Sequence, residues 1–329
     1  MRLKIGVSAV GYCPAMGTQP GGIEQDSRGI LDPGLLRQRV RLTRYPATAA
    51  LDPVIDRFWA VSWDLPDGVV HRQQVLTHPG ANISVGHPSA RPGDRAPGPV
   101  EAQLYGVART VSTRILLGRG WTVAAMTRPG GLGAFLSGPA ADLTDRVVPL
   151  GTAIAVDDDA LVAAISAARD DAGQVGTAGD QATEDQATED QATRVALLAA
   201  ALEHALDAGR VAAAAQVTAA ARIAETNREV RGLADLCAAV GIGPRTLQRL
   251  FLRFAGVPPT WVIRRYRLID AAEAVRGGRP VPWAGLAADL GYSDQAHLIR
   301  DFRAAIGQTP AAYADAQAAI SAGTGHDLR

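Results

Sequence analysis

The sequence predicts an α+β chain of two unlike parts, a small β-barrel or sandwich followed by an all-α region built twice from one unit. Three observations carry this. The segments DRFWAVSWDL (56–65), HRQQVLTH (71–78), ANISVGH (81–87), QLYGVART (103–110) and WTVAAMT (121–127) are short, rich in β-formers and punctuated by Pro and Gly. Helical periodicity takes over from about residue 159. Finally, LADLCAAVGIGPRTLQRLF (233–251) and WAGLAADLGYSDQAHLIRDF (283–302) repeat one pattern: apolar helix, Gly-centred turn, second helix.

Taken in order, residues 1–40 are Gly/Pro-rich without periodicity and read as a poorly ordered tail. Residues 41–158 form the β-rich domain, a candidate sensor. Residues 159–229 read as a helical connector. Within it, 170–194 carries DQATE-DQATE-DQATR, whose period of five matches neither helix nor strand and suggests a flexible linker. The following RVALLAAALEHAL (194–206) places Val195, Leu198, Leu202 and Leu206 on one face, suited either to a homodimer seam or to packing on the β-domain. Residues 230–315 are the repeated helical module, and 316–329 a second tail.

Composition narrows the classes. A chain of 329 residues suits about two domains. It has no apolar run long enough to span a membrane, and residues 5–10 are too short for a signal core, so a cytoplasmic location is expected and no membrane partner. Cys13 and Cys237 are the only cysteines, which leaves no disulfide framework and no Cys-based zinc site. Net charge is +0, yet residues 230–313 hold 11 Arg against 6 Asp plus Glu, a local 11 − 6 = +5. A basic C-terminal third on a neutral chain fits a nucleic-acid-binding module.

In the repeated unit, Leu236, Cys237, Val240 and Gly241 fall opposite Leu286, Ala287, Leu290 and Gly291. A small residue lets two helices cross closely, and the Gly permits the tight turn. This is the helix-turn-helix, whose second helix enters the DNA major groove. Pro244 suits the first position of that helix in the first unit, with Leu247, Leu250, Phe251 and Phe254 as its buried face. The other face carries Arg245, Thr246, Gln248, Arg249 and Arg253, donors suited to guanine, adenine and phosphate. Arg249 sits beside the buried stripe and reads as a structural pair or a phosphate clamp. In the second unit Ser293 is the expected N-cap with Asp294 beside it as a dipole partner. Gln295, His297 and Arg300 are the candidate contacts there, His297 equally a packing residue. Residues 259–278 read as one linking helix, with Trp261, Ile263, Leu268, Ala272 and Val275 packing on both units and Arg264, Arg265 and Arg267 as surface charges or ion pairs.

Residues 230–313, with RLIDAA (267–272), GYSDQAHLIRDF (291–302) and GQTPAAY (307–313), resemble the AraC-type DNA-binding domain. The resemblance implies two units reading adjacent major grooves of double-stranded DNA, a homodimer, and contact with RNA polymerase. Gly243 stands where that family usually has a Ser or Thr cap, and Trp283 where it has Ile or Val. RYPATAALDPVIDRFWAVSWDLPDG (44–68), LTHPGANISV (76–85) and RPGGLGAFL (128–136) resemble the cupin-like N-terminal domain of an actinobacterial subgroup of these regulators, which implies sensing of a small-molecule effector. A cupin metal site is not expected: His71, His78 and His87 lack the H-x-H plus Glu spacing, so no metal or cofactor is assigned. Trp59, Trp63, Tyr105, Trp121 and Phe135 read as core or as an apolar pocket, and Arg128 as part of a turn or an anion contact. The function expected is a transcriptional regulator, activator or repressor, and not an enzyme. The alternatives are a regulator governed by a protein partner and a cupin-like enzyme fused to a DNA-binding domain.

Overall fold

The computed structural model describes residues 29–168, 180–276 and 282–321. The N-terminal half holds eight strands, all antiparallel: β1 (Val40–Pro46), β2 (Ile55–Asp64), β3 (Val70–Val75), β4 (Asn82–Gly86), β5 (Glu101–Tyr105), β6 (Ser112–Leu117), β7 (Arg119–Thr127) and β8 (Val147–Pro149). Six make one sheet in the order β1-β2-β7-β4-β5-β8; β3 and β6 make a second. The helices are α1 (Pro33–Arg39), α2 (Asp158–Ala167), α3 (Asp180–Ala205), α4 (Ala208–Thr226), α5 (Leu233–Val240), α6 (Pro244–Phe254), α7 (Pro259–Arg276), α8 (Trp283–Asp289), α9 (Gln295–Ile306) and α10 (Pro310–Ser321). The expected α+β class is the observed one.

Strand alternation divides the large sheet into two faces. Phe58, Ala60, Ile83, Val85, Leu104, Val123 and Ala125 are buried together on one, covered by helices. The other carries Trp59, Val61, Trp63, Asn82, Ser84 and Tyr105 and faces the small sheet. The apolar face has its cover in α3 and α4. Val195, Leu198 and Leu202 of α3 are buried in that core, so this stripe packs on the β-domain and is not free as a dimer seam. Helix α4 buries Ala214, Val217, Ala220, Ala221 and Ala224. With small side chains it fits between the β-domain and α5, α6 and α7, and one apolar core runs from the sheet into the first helix-turn-helix unit. A second core holds α7 to α8, α9 and α10.

Three boundaries differ from expectation. The residues before 40 are not all tail: Ile30 bridges Val75, and Leu31 is buried against the second helical core. Residues 1–28 lie outside the described set. The repeat expected to be a flexible linker is helical from Asp180 onward, continuous with the amphipathic run that anchors it; residues 169–179 are outside the described set. At the other end α10 continues to Ser321, where a tail from 316 was expected.

The approach of β-domain and first unit is closest at Gly133. A Cβ there would lie 2.4 Å from Cδ1 and 2.6 Å from Cα of Phe254. Gly133→Ala is therefore expected to force the two parts apart and destabilise the chain by about 1–3 kcal/mol. Gly138, whose Cβ would meet nothing within 4 Å, is the control, with Gly138→Ala staying within roughly 0.5 kcal/mol. Chemical unfolding of both variants checks this, and equal midpoints would refute the close packing.

Candidate nucleic-acid interface and its connection to the β-domain

The first unit is shaped by Gly241 at φ +69° ending α5, and by Pro244 opening α6. Asp235 of α5 accepts from the backbone N–H groups of Arg231 (3.0 Å) and Gly232 (2.9 Å), closing the start of that helix. Gly243 caps α6 with no side chain, as the sequence reading noted. Leu247, Phe251 and Phe254 are buried, and Arg245, Thr246, Gln248, Arg249 and Arg253 are all exposed. Arg249, left open as a structural pair, makes no ion pair among the described residues. Sequence reasoning missed one member of this face: Leu252, 42% exposed, lies one turn beyond Gln248.

In the second unit Gly291 at φ +77° ends α8. The N-cap of α9 is Asp294, not Ser293: its Oδ1 accepts from the His297 N–H at 2.7 Å. That hydrogen bond holds the Asp294 carboxyl below the usual carboxylate range. The Ser293 hydroxyl contacts the Asp294 carboxylate (3.3 Å) and the Nδ1 of His297 (3.2 Å) instead. His297 is half-buried, edge-to-face with Tyr292 at 5.1 Å and 3.8 Å from the Asp301 carboxylate. Gln295 and Arg300 are exposed. Leu298 and Phe302 point into the second core.

Helix α7 joins the two units. Ile263 belongs to the first core, and Leu268, Ala272 and Val275 to the second, as their spacing predicts. Of its three arginines, expected as surface charges or ion pairs, only Arg264 is exposed, and Arg267 lies 4.0 Å from the Asp270 carboxylate of the same helix. Arg267 is buried and donates to the carbonyls of Asn227 and Val230 at 3.2 and 3.1 Å, tying the α4–α5 connection to α7. Arg265, 2% exposed, donates to Thr77 O (3.4 Å), Ala108 O (3.3 Å) and Arg109 O (2.6 Å), with its guanidinium 4.6 Å from the Trp261 ring centroid. Burial pushes its pKa down to about 10, opposed by Asp145, so it remains charged at neutral pH.

Arg265 thus plugs two β-domain loops into the linking helix. Other contacts lie around it: Val111 N–H donates to Ala305 O (3.2 Å), the Thr144 hydroxyl to Gly256 O (2.7 Å), and Arg210 to Gly133 O (2.9 Å). Both helix-turn-helix units therefore touch the β-domain.

The remaining sequence candidates fall elsewhere. Trp59, Trp63 and Tyr105 line a cavity of about 60 Å³ between the sheets. Trp121 faces the other way, under the guanidinium of Arg194 at 4.1 Å, and Phe135 is in the main core. Arg128 pairs with Asp52 (2.8 Å) and Asp56 (3.3 Å), a structural role. A second, more polar cleft of about 260 Å³ lies where Arg128, Arg222 of α4 and Tyr266 of α7 meet. Among the described residues no group of three or more His, Cys, Asp or Glu side chains is placed to hold a metal ion, and no helix is long and apolar enough to cross a membrane.

The geometry is that of two helix-turn-helix units, the class of fold that presents a helix to the DNA major groove. Residues 236–316 match the family model described as a helix-turn-helix domain, and residues 43–149 match a domain of unknown function, DUF6597. The C-terminal domain is of the AraC type, with two such units on one linking helix. No curated protein matches the chain. Among solved structures it is similar to ToxT from Vibrio cholerae at 9% identity, covering 84% of this chain and 98% of that one with a TM-score of 0.35. The unsaturated-fatty-acid-bound form of ToxT from strain SCE256 gives 11%, 84%, 94% and 0.35. The AraC-like transcriptional activator CuxR gives 13%, 72%, 88% and 0.18. Scores this low establish no shared ligand or activity.

Replacing Arg265 by Met leaves three carbonyls without their donor. The expected loss is about 1–3 kcal/mol for each one left buried and unsatisfied, less any that water reaches. Arg265→Lys should recover only part, because a point charge cannot span three acceptors. Hydrogen exchange at residues 108–111 and 264–268 reads the result; protection unchanged in both variants would rule out the plug.

Proposed function

We propose that this chain is a sequence-specific transcription regulator that reads double-stranded DNA with α6 and α9 and responds to a small effector through its β-domain. One observation carries the reading. Two helices with exposed polar faces, Arg245, Thr246, Gln248, Arg249 and Arg253 on one and Gln295 and Arg300 on the other, stand at the two ends of the 18-residue helix α7. At a rise of ~1.5 Å per residue such a helix is roughly 27 Å long, near the ~34 Å repeat of a DNA turn. Arg245 and Arg249 suit guanine O6 and N7, Gln248 suits adenine N6 and N7, and Leu252 suits the thymine methyl. Arg253, further along, suits phosphate. The packing of His297 gives it the part of holding α9 in shape, with phosphate as its contact at most.

The effector half of the reading rests on the joint at Arg265. The loops it grips, around Thr77 and Ala108–Arg109, belong to the β-domain, while the helix it grips sets the spacing of the two readers. A shift in those loops moves one reader relative to the other.

Selection of bound sequences from a random DNA pool, with the full-length chain at physiological salt, tests the proposal. Two enriched blocks about 10 base pairs apart are expected; a single block would leave only one unit as a reader. On the selected site, Arg245→Ala and Gln248→Ala should each lose about 1–3 kcal/mol of discrimination at one base position. Arg253→Ala should weaken all sequences alike and lower the salt slope by about one. Titrations of single-base variants across salt concentrations separate the two behaviours, and uniform weakening by Gln248→Ala would assign that residue to the backbone.

A further inference from the structure

The cavity between the β-sheets has an uneven chemistry. Its large-sheet wall carries the rings of Trp59, Trp63 and Tyr105; β6 of the small sheet supplies Arg114 and Leu116 opposite. At about 60 Å³ it is several times the ~10–15 Å³ that a single water requires. The neutral polar groups of the wall are largely engaged with one another. Trp59 donates its indole N–H to Asn82 Oδ1 (3.1 Å), Trp63 to Leu117 O (3.0 Å), and the Tyr105 hydroxyl to Gln103.

Arg114 is the exception. Its guanidinium carbon lies 3.8 Å from the Tyr105 ring centroid, the residue is half-buried, and its side chain makes no hydrogen bond or ion pair with any described residue. A second observation lies on the neighbouring strand. His71 is fully buried with both ring nitrogens unpartnered, and Gln73, 6% exposed, has an unpartnered Oε1. In the β3–β6 register His71 is opposite Leu116, and Gln73 is opposite Arg114. Directly opposed residues point to the same face, so both lie on the inner side of the small sheet, next to the cavity but outside its lining. Buried polar atoms without partners are rare and call for a water or a ligand.

We infer that this cavity is a binding site for a small monocarboxylic acid with an apolar body, its carboxylate paired with Arg114 and its body against Trp59 and Trp63. The inference rests on the reading of the β-domain as the effector domain. The guanidinium fork matches a carboxylate with two parallel hydrogen bonds. A cation would be repelled by Arg114. A sugar would need hydroxyl partners that the wall has largely committed elsewhere, and a phosphate dianion is too strongly hydrated for a cavity whose exposed surface is mainly apolar.

The test uses the full-length chain with butyrate, 3-methylbutyrate and cyclopentanecarboxylate, each against its neutral amide at matched ionic strength. Tryptophan fluorescence and the unfolding midpoint are the readouts. At least one acid should bind saturably, about tenfold or more tighter than its amide. Arg114→Gln should abolish that difference, while its ligand-free midpoint, which reports the loss of the Tyr105 stacking contact alone, shows that the variant is folded. Arg114→Lys should restore part of it. Equal binding of acid and amide, or no saturable binding of any acid up to about 10 mM, overturns the carboxylate site and leaves the DNA-reading proposal untouched. Acid binding that passes these tests yet leaves DNA affinity unchanged keeps the site and removes its part in regulation.

Discussion

The packing of α4 is the constraint on which the rest of the structure depends. The six-stranded sheet has an apolar face that the β-domain alone does not cover, and the first helix-turn-helix unit has an apolar side that two short helices cannot bury between them. Helix α4 serves both. Its buried positions are Ala214, Val217, Ala220, Ala221 and Ala224, so neighbours approach it closely on either side. Gly130 shows how close: at φ +91°, a Cβ there would fall 2.6 Å from Cβ of Val217. Larger residues at those Ala positions would separate the sheet from the readers. Because the core is continuous, a DNA-binding module with a boundary at residue 230 is a convenient description of sequence but not of packing.

The two helix-turn-helix units are attached differently, and the difference is physical. The first shares the main apolar core, through Leu236, Leu247, Phe251 and Phe254. The second has its own core, which Leu31, Leu76 and Val111 of the N-terminal half join, with hydrogen bonds beside it from Val111 to Ala305 and from Tyr313 and Gln317 to Leu31 O. Apolar burial is lost in proportion to area when surfaces part, whereas exposed hydrogen-bonding groups are re-satisfied by water. Fewer apolar side chains of the N-terminal half reach the second unit than the first, so its separation is opposed less strongly. Arg265 belongs with it in kind. Its partners are carbonyls and not a carboxylate, so withdrawing it strands no buried counter-charge.

Much of this was legible in the sequence. The doubled unit was visible because Gly241 and Gly291 must take the left-handed conformation, and because Leu247, Phe251, Leu298 and Phe302 keep helical spacing. The strands were visible through alternation and turn residues. What escaped were features decided by distant partners. Nothing near residue 265 says that carbonyls of residues 77, 108 and 109 will surround it, and an Arg on a helix is normally solvated. Likewise the DQATE repeat lacks an apolar stripe of its own; its helix is continuous with the run from Val195 to Leu202, which is anchored on the sheet. Ser293 and Asp294 are both good caps, and only the backbone path chooses between them.

The strands that line the cavity also carry the core. In β2, Trp59, Val61 and Trp63 face the cavity, while Phe58 and Ala60, on the alternate positions, are buried against the helices. In β4, Asn82 and Ser84 alternate in the same way with Ile83 and Val85. A strand is one residue thick, and protein cores are packed too densely to absorb a shift on one side without passing it to the other. Trp59 moved by a bound molecule would move Phe58 and with it the core that α4 shares with α6. A second path leaves the cavity through β6, where Arg114 lies three residues beyond Val111, whose N–H is bonded to Ala305 of the second unit. Occupancy of the cavity thus has a packed route to the first reader and a hydrogen-bonded route to the second. Because the two routes run through separate contacts and each unit keeps its own buried helix faces, an effect on DNA reading would appear first as a change in the spacing between the units, not in the shape of either one.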